Sequence, residues 1–139
     1  IVESMFVIMK KANGIGLAAP QIGLGERIIV IDISGKQNVR TAIINPEVTA
    51  SSESLGDYEE GCLSIPGIYA DVIRPLEITV KGFDPKGKEI KFNADALLAR
   101  VLQHEIDHLN GVLFIDRIED HIKKEFTREL KSIKKLNKL

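Results

Sequence analysis

The most specific chemistry in the chain sits in Gln103-His104-Glu105-Ile106-Asp107-His108. On an α-helix, residues four apart share a face, so His104 and His108 can turn both imidazoles toward one metal ion. Glu105, beside the first histidine, brings a carboxylate within reach of a water that such an ion would acidify. A surface helix that merely happens to carry two histidines and several acids is the plainer reading. Against it stands the apolar periodic run Ala96, Leu97, Leu98, Val101 and Leu102 that leads into the motif, which marks a helix with a buried face.

Two histidines leave a tetrahedral metal in need of a third protein ligand and an open position. A downstream histidine in the pattern HExxHxxGxxH is excluded, because Gly111 matches the glycine but the last position is Phe114. An acid beyond the helix, Glu119 or Glu125, is a second source, although both follow closely and no further helix with a clear partner face precedes them. The third source is Cys62, the single cysteine of the chain, in Glu59-Glu60-Gly61-Cys62-Leu63-Ser64. A free cysteine is commonly an inert core residue. Here acids and glycines surround it in a turn-rich stretch, a poor apolar environment, and a thiolate is a strong metal ligand. A further stretch, Gly14-Ile15-Gly16-Leu17-Ala18-Ala19-Pro20-Gln21-Ile22-Gly23, in which Pro20 is expected to block any helix, reads as a glycine loop whose backbone approaches a ligand closely, with Gln21 as a placed amide. Its glycine spacing does not fit a dinucleotide fingerprint.

The elements that must position these groups follow from periodicity. Ile1, Met5, Ile8, Met9 and Ala12 fall at helical spacing, closed by Asn13-Gly14. No capping residue precedes that helix and the chain starts at Ile1, so an upstream segment is expected. Residues 27–33 and 41–45 read as buried strands, the second stopped by Pro46, with a more exposed strand over 47–54. Strands are expected over 68–74 and 76–84, and Asp84-Pro85-Lys86-Gly87-Lys88 turns the chain into the alternating Glu89-Ile90-Lys91-Phe92. Asn93 or Asp95 opens the histidine helix and Asn110-Gly111 closes it. Residues 119–139 form an amphipathic helix through Ile122, Phe126, Leu130, Ile133 and Leu136, and residues 117–139 carry eight Lys or Arg against four Asp or Glu.

The 139 residues suit a single domain with a real core, and 44% hydrophobic with 28% charged residues is ordinary for a globular chain. A net charge of −1 argues against a general or sequence-specific nucleic-acid binder. No apolar run approaches the roughly 20 residues that span a bilayer. One cysteine excludes an internal disulfide framework and fits a reducing compartment.

Taken together, the stretches 14–21, 60–64 and 103–108 resemble, in order and separation, the three signature motifs of the peptide deformylase family. The resemblance runs from Ile1 across essentially the whole chain. It implies one catalytic domain over residues 1–139, from which an upstream segment of the family is missing. The implied fold is α+β: antiparallel sheets wrapped around a central HExxH helix, with an N-terminal helix and a C-terminal amphipathic helix. The implied activity is removal of the formyl group from N-terminal formyl-methionine of nascent peptides, in the bacterial cytoplasm or an organelle. By the same resemblance, Cys62, His104 and His108 hold one divalent metal, natively ferrous iron, with zinc, nickel or cobalt as replacements. Glu105 moves the proton, while the Gln21 amide and the Leu63 backbone N–H stabilise the oxyanion. Ile15, Tyr58, Leu97 and Val101, with His104, border the methionine pocket, and Gly16 pairs with the substrate backbone. Leu97 and Val101 read equally well as core packing. The C-terminal helix implies a contact at the ribosome. Arg100 is expected to pair with an acid; Asp107 and Gln103 stay open between a supporting role behind the ligands and a helix surface. A zincin-like peptidase with an acidic third ligand and a truncated, inactive metal-binding homologue are the rival readings.

Overall fold

The computed structural model describes residues 1–62 and 65–112, without the side chains of Cys62, Ile65, Pro66 and Ile68. Helix α1 spans Val2–Lys11 and buries Met5, Phe6 and Met9. Ile1 and Ile8, apolar positions of the expected helical face, are instead exposed, and Phe6 takes the inner position with the Arg40 guanidinium 3.8 Å from its ring centre. The chain then forms β1 (Gly16–Ala18), a 3₁₀ turn (Ala19–Ile22), β2 (Ile28–Asp32), β3 (Arg40–Ser51), β4 (Leu55–Cys62), β5 (Ile65–Pro75), β6 (Ile78–Phe83), β7 (Glu89–Ala94) and helix α2 (Ala96–Leu109).

Five strands make one antiparallel sheet in the order β1-β2-β3-β6-β7, and β4 with β5 makes a separate two-stranded hairpin. The interior strand β2 explains the layering. Its alternating side chains are buried on both faces: Ile28 and Val30 join α1, and Ile29 and Ile31 join α2. A strand covered on both faces reads as a continuous apolar run, which is what residues 28–31 are. On the α2 face, Ile43, Ile78 and Val80 meet Ala99, Val101, Leu102 and Ile106 of the helix. Burying each large aliphatic side chain is worth about 1.5–3 kcal/mol, so this face is the main anchor of the histidine helix.

Three local expectations are corrected. Residues 40–51 form one strand straight through Pro46, because the register shifts between Ile44 and Glu47 and Asn45 adopts φ 52°. A bulge needs no ladder N–H at that point, so proline is tolerated there. Pro20 does not prevent a helical turn. It lies in the first turn of the 3₁₀ segment, where its missing N–H costs nothing. Residues 56–62, expected as a turn-rich stretch, are strand β4, held by pairing with β5 from Leu55↔Pro75 to Gly61↔Tyr69.

Helix α2 starts after Asp95, whose side chain makes no capping bond. The Gln37 side-chain oxygen, from the β2–β3 turn, accepts a bond from the Leu98 N–H at 2.8 Å instead. At the other end, Arg27 donates to the Leu109 carbonyl at 3.2 Å and to Asn110 Oδ1 at 3.1 Å. Both helix termini are thus tied to the large sheet. The expected C-terminal amphipathic helix lies outside the described residues. Among the described residues no helix is long and apolar enough to cross a membrane.

Candidate metal centre

His104 and His108 lie one turn apart on α2, and their Nε2 atoms converge to 3.1 Å. The rings meet edge to face, with centroids 4.8 Å apart at 70°. Ligand atoms of His104, Glu105 and His108 all fall within 4.8 Å of one another, and Glu105 Oε1 is 3.9 Å from His108 Nε2. Three electron-rich groups packed this closely repel unless a proton or a cation sits among them.

The tautomer of His104 shows which of its nitrogens can face a cation. Its Nδ1 is 2.8 Å from Glu60 Oε1. Burial alone would raise the Glu60 pKa. Hydrogen bonds from His104, Arg74 and Arg100 outweigh that and hold the carboxyl at about 2. An ionised carboxylate only accepts, so Nδ1 is the donor. In the neutral ring the lone pair then sits on Nε2, facing His108. A carboxylate behind the distal nitrogen of a histidine is the usual support for a metal-binding imidazole. The donor set therefore fits a divalent cation.

Glu60 belongs to a buried ionic cluster that sequence reasoning missed. Arg74 grips it with two parallel bonds, Nε to Oε2 at 2.7 Å and Nη2 to Oε1 at 2.9 Å. The third nitrogen of that guanidinium, Nη1, reaches Asp107 Oδ2 at 2.8 Å. These carboxylates hold Arg74 protonated: burial would lower its pKa, but the pairing raises it above the ordinary arginine value. Arg100 Nη1 reaches Glu60 Oε2 at 2.8 Å, so Arg100 does pair with an acid. Asp107 is neither ligand nor surface charge but the bridge from α2 to Arg74. Gln103 donates to the Pro75 and Ala99 carbonyls, both at 3.0 Å, and so also ties the helix to β5. A signal for Arg74 existed: Ala70, Val72 and Arg74 alternate on the buried face of β5, and an arginine at such a position requires carboxylate partners.

Eight of the expected site residues border one cleft of about 460 Å³: Ile15, Gly16, Gln21, Tyr58, Leu97, Val101, His104 and Glu105, whereas His108 is not among its described walls. Gln21 Oε1 accepts from the Ala18 N–H at 2.8 Å, which fixes the orientation of the amide. Gly16 passes so near Glu105 that an added Cβ would lie 2.7 Å from Oε2 and 2.9 Å from Val101 Cγ1. Only glycine lets β1 run alongside the carboxylate. Ile15 and Tyr58 are 45% and 56% exposed and form the open rim, whereas Val101 is buried at 6% and serves both core and cleft. Cys62 is the last residue of β4 and its backbone pairs with Ile65. It follows Glu60 by two residues, about 7 Å along a strand, so one strand carries both Cys62 and the carboxylate that supports His104. Leu63 lies outside the described residues.

Comparison with known proteins agrees with this architecture. The polypeptide deformylase family model matches residues 1–124. A peptide deformylase of Treponema pallidum is 51% identical over 119 residues, covering 86% of this chain and 72% of that protein. One from Prochlorococcus marinus is 53% identical over 129 residues, covering 90% of this chain and 64% of that protein. Among solved structures, Arabidopsis thaliana peptide deformylase 1B superposes with TM-score 0.92 at 39% identity, covering 98% and 76% of the two chains. The Legionella pneumophila enzyme does so with TM-score 0.85 at 44% identity, covering 98% and 80%. The convergent histidines, the glutamate between them and the shared α+β framework thus place this chain in the peptide deformylase family, metal-dependent hydrolases of the N-terminal formyl group.

Proposed function

We propose that this chain removes the formyl group from N-terminal formyl-methionine of nascent peptides, with His104, His108 and Cys62 holding one divalent cation. The observation that carries the reading is the 3.1 Å convergence of the two Nε2 atoms with Glu105 beside them. Thiolate with two imidazoles suits ferrous iron, zinc, cobalt and nickel alike; we take ferrous iron as the resident ion and the others as replacements. The bacterial relatives favour the bacterial cytoplasm or an organelle as the place where formylated chains are met. A ribosome contact is supported by the basic excess of residues 117–139.

When bound, the cation supplies Lewis acidity, polarising the formyl carbonyl and acidifying a water. The residues of this chain do the rest. Glu105 accepts the proton of the attacking water as its oxygen bonds to the formyl carbon. Charge that develops on the former carbonyl oxygen receives the Gln21 NH₂ and the Leu63 backbone N–H. Glu105 then delivers its proton to the departing nitrogen as the C–N bond breaks, which yields formate and a free amino terminus. Glu105 is only 3% exposed, and β1 packs directly against its carboxylate at Gly16. A formyl group is too small to select a substrate, so selection falls to the cleft walls Ile15, Tyr58, Leu97 and Val101, with Gly16 in β1 aligned to pair with extended substrate backbone.

Anaerobic assay of formyl-Met-Ala-Ser with ferrous iron tests the proposal. Release of formate that is abolished by a chelator and restored by the metal is the expected result. Cleavage of an internal peptide bond, or formate release indifferent to chelation, would overturn it.

A further inference from the structure

Neither apolar cluster contains a described residue of the β4–β5 hairpin. Yet that hairpin carries Cys62 and the Tyr58 wall of the cleft, opposite a helix that is anchored in the other sheet. Among the described residues the hydrogen bonds between the hairpin and α2 run through Arg100, Gln103, His104 and Asp107, and Arg100 makes three of them. Nη2 donates to the Gly56 carbonyl of β4 at 2.8 Å, and Nη1 donates to the Val72 carbonyl of β5 at 2.7 Å and to Glu60 Oε2 at 2.8 Å. One guanidinium therefore holds both hairpin strands and the carboxylate that orients His104. The Arg100 side chain is only 10% exposed and its Cζ lies 5.9 Å from the Tyr58 ring centre. At the gripped residue β4 is close-packed, because a Cβ on Gly56 would collide with Leu76.

Desolvating a guanidinium is costly, and three hydrogen bonds to backbone and carboxylate offset that cost only in one geometry. Such a contact specifies position rather than bulk stability. We propose that Arg100 is a positioning residue: it clamps the hairpin onto the histidine helix and so sets where Cys62 and Tyr58 stand relative to His104 and Glu105. The part concerning Cys62 rests on the metal reading above. Charge balance alone is the competing role, and lysine separates the two. Its ammonium keeps the charge but lacks the planar fork that reaches Gly56, Val72 and Glu60 together.

The test is hydrogen exchange read by mass spectrometry on the full chain, for wild type, Arg100→Lys and Arg100→Ala, paired with cobalt titration. In both variants the clamp predicts exchange over residues 55–62 and 65–75 faster by about tenfold or more, with residues 28–51 and 78–94 unchanged. Cobalt affinity falls by about tenfold and the thiolate-to-cobalt charge-transfer band weakens. Unchanged hairpin exchange in Arg100→Ala, equal acceleration over both sheets, or full recovery in Arg100→Lys would each overturn the clamp. A wild-type chain that binds cobalt without a thiolate band would instead overturn the metal reading and its Cys62 part, while the exchange pattern still decides the clamp.

Discussion

Replacing Glu60 by glutamine keeps the size of the side chain and removes its charge, which makes it a sharp probe of the cluster behind His104. Glu60 is 6% exposed and its carboxyl is held at about 2 against an ordinary 4.5. Each pKa unit corresponds to about 1.4 kcal/mol, so the ionised form stabilises the folded chain by roughly 3 kcal/mol at neutral pH. That agrees with the roughly 3–5 kcal/mol lost when one partner of a buried ion pair is removed. The sign follows from the depressed value: the contribution is complete above pH 4.5 and is lost as pH falls toward 2. At pH 3 about half of it should remain. Urea unfolding of chelator-treated wild type and Glu60→Gln at pH 7, 5, 4 and 3 measures this. The wild type should lead by about 3 kcal/mol at pH 7, and the gap should narrow below pH 4.5. A gap under about 1 kcal/mol at pH 7, or one that does not narrow in acid, would refute the assignment of Glu60 as a buried, ionised support of His104.

Gly16→Ala puts a Cβ against Glu105 Oε2, so formate release should fall by about tenfold or more while bound metal, measured by atomic emission, stays at the wild-type level. Gln21→Ala removes both the Ala18 contact and the proposed oxyanion donor; kcat should drop about 10²–10³-fold, with KM for the formyl peptide changed far less. Asp107→Asn weakens one bond of Arg74 and leaves the paired bonds to Glu60, so calorimetry should show a loss of about 1.5–3 kcal/mol, no larger than that of Glu60→Gln.

The readable part of the site was its local part. His104, Glu105 and His108 are joined by helical spacing alone, and the apolar run before them marks the buried face of α2. Residues 28–31 announced a strand covered on both sides because every side chain in them is apolar. β4 was hidden: Gly56, Asp57, Glu59, Glu60 and Gly61 are residue types that strands disfavour, and only pairing with β5 makes them a strand. The same distance in sequence concealed the ionic cluster. Glu60 is legible as a buried acid only once Arg74 and Arg100 are known to stand against it, 14 and 40 residues away. Asp107 and Gln103 were ambiguous for the same reason, since their partners lie on β5. Pro46 read as the end of a strand because a bulge is a property of the pair, not of one chain segment.

In the proposed mechanism Glu105 moves the proton and the flanking histidines hold the metal. Glu105→Gln separates these roles in one variant, through metal content and formyl-Met-Ala-Ser turnover measured on the same preparation. Metal should stay bound at the wild-type ratio, with turnover lower by about 10²–10⁴-fold. Turnover within about threefold of wild type with metal retained would contradict this mechanism, because the proton would then be moving by another route.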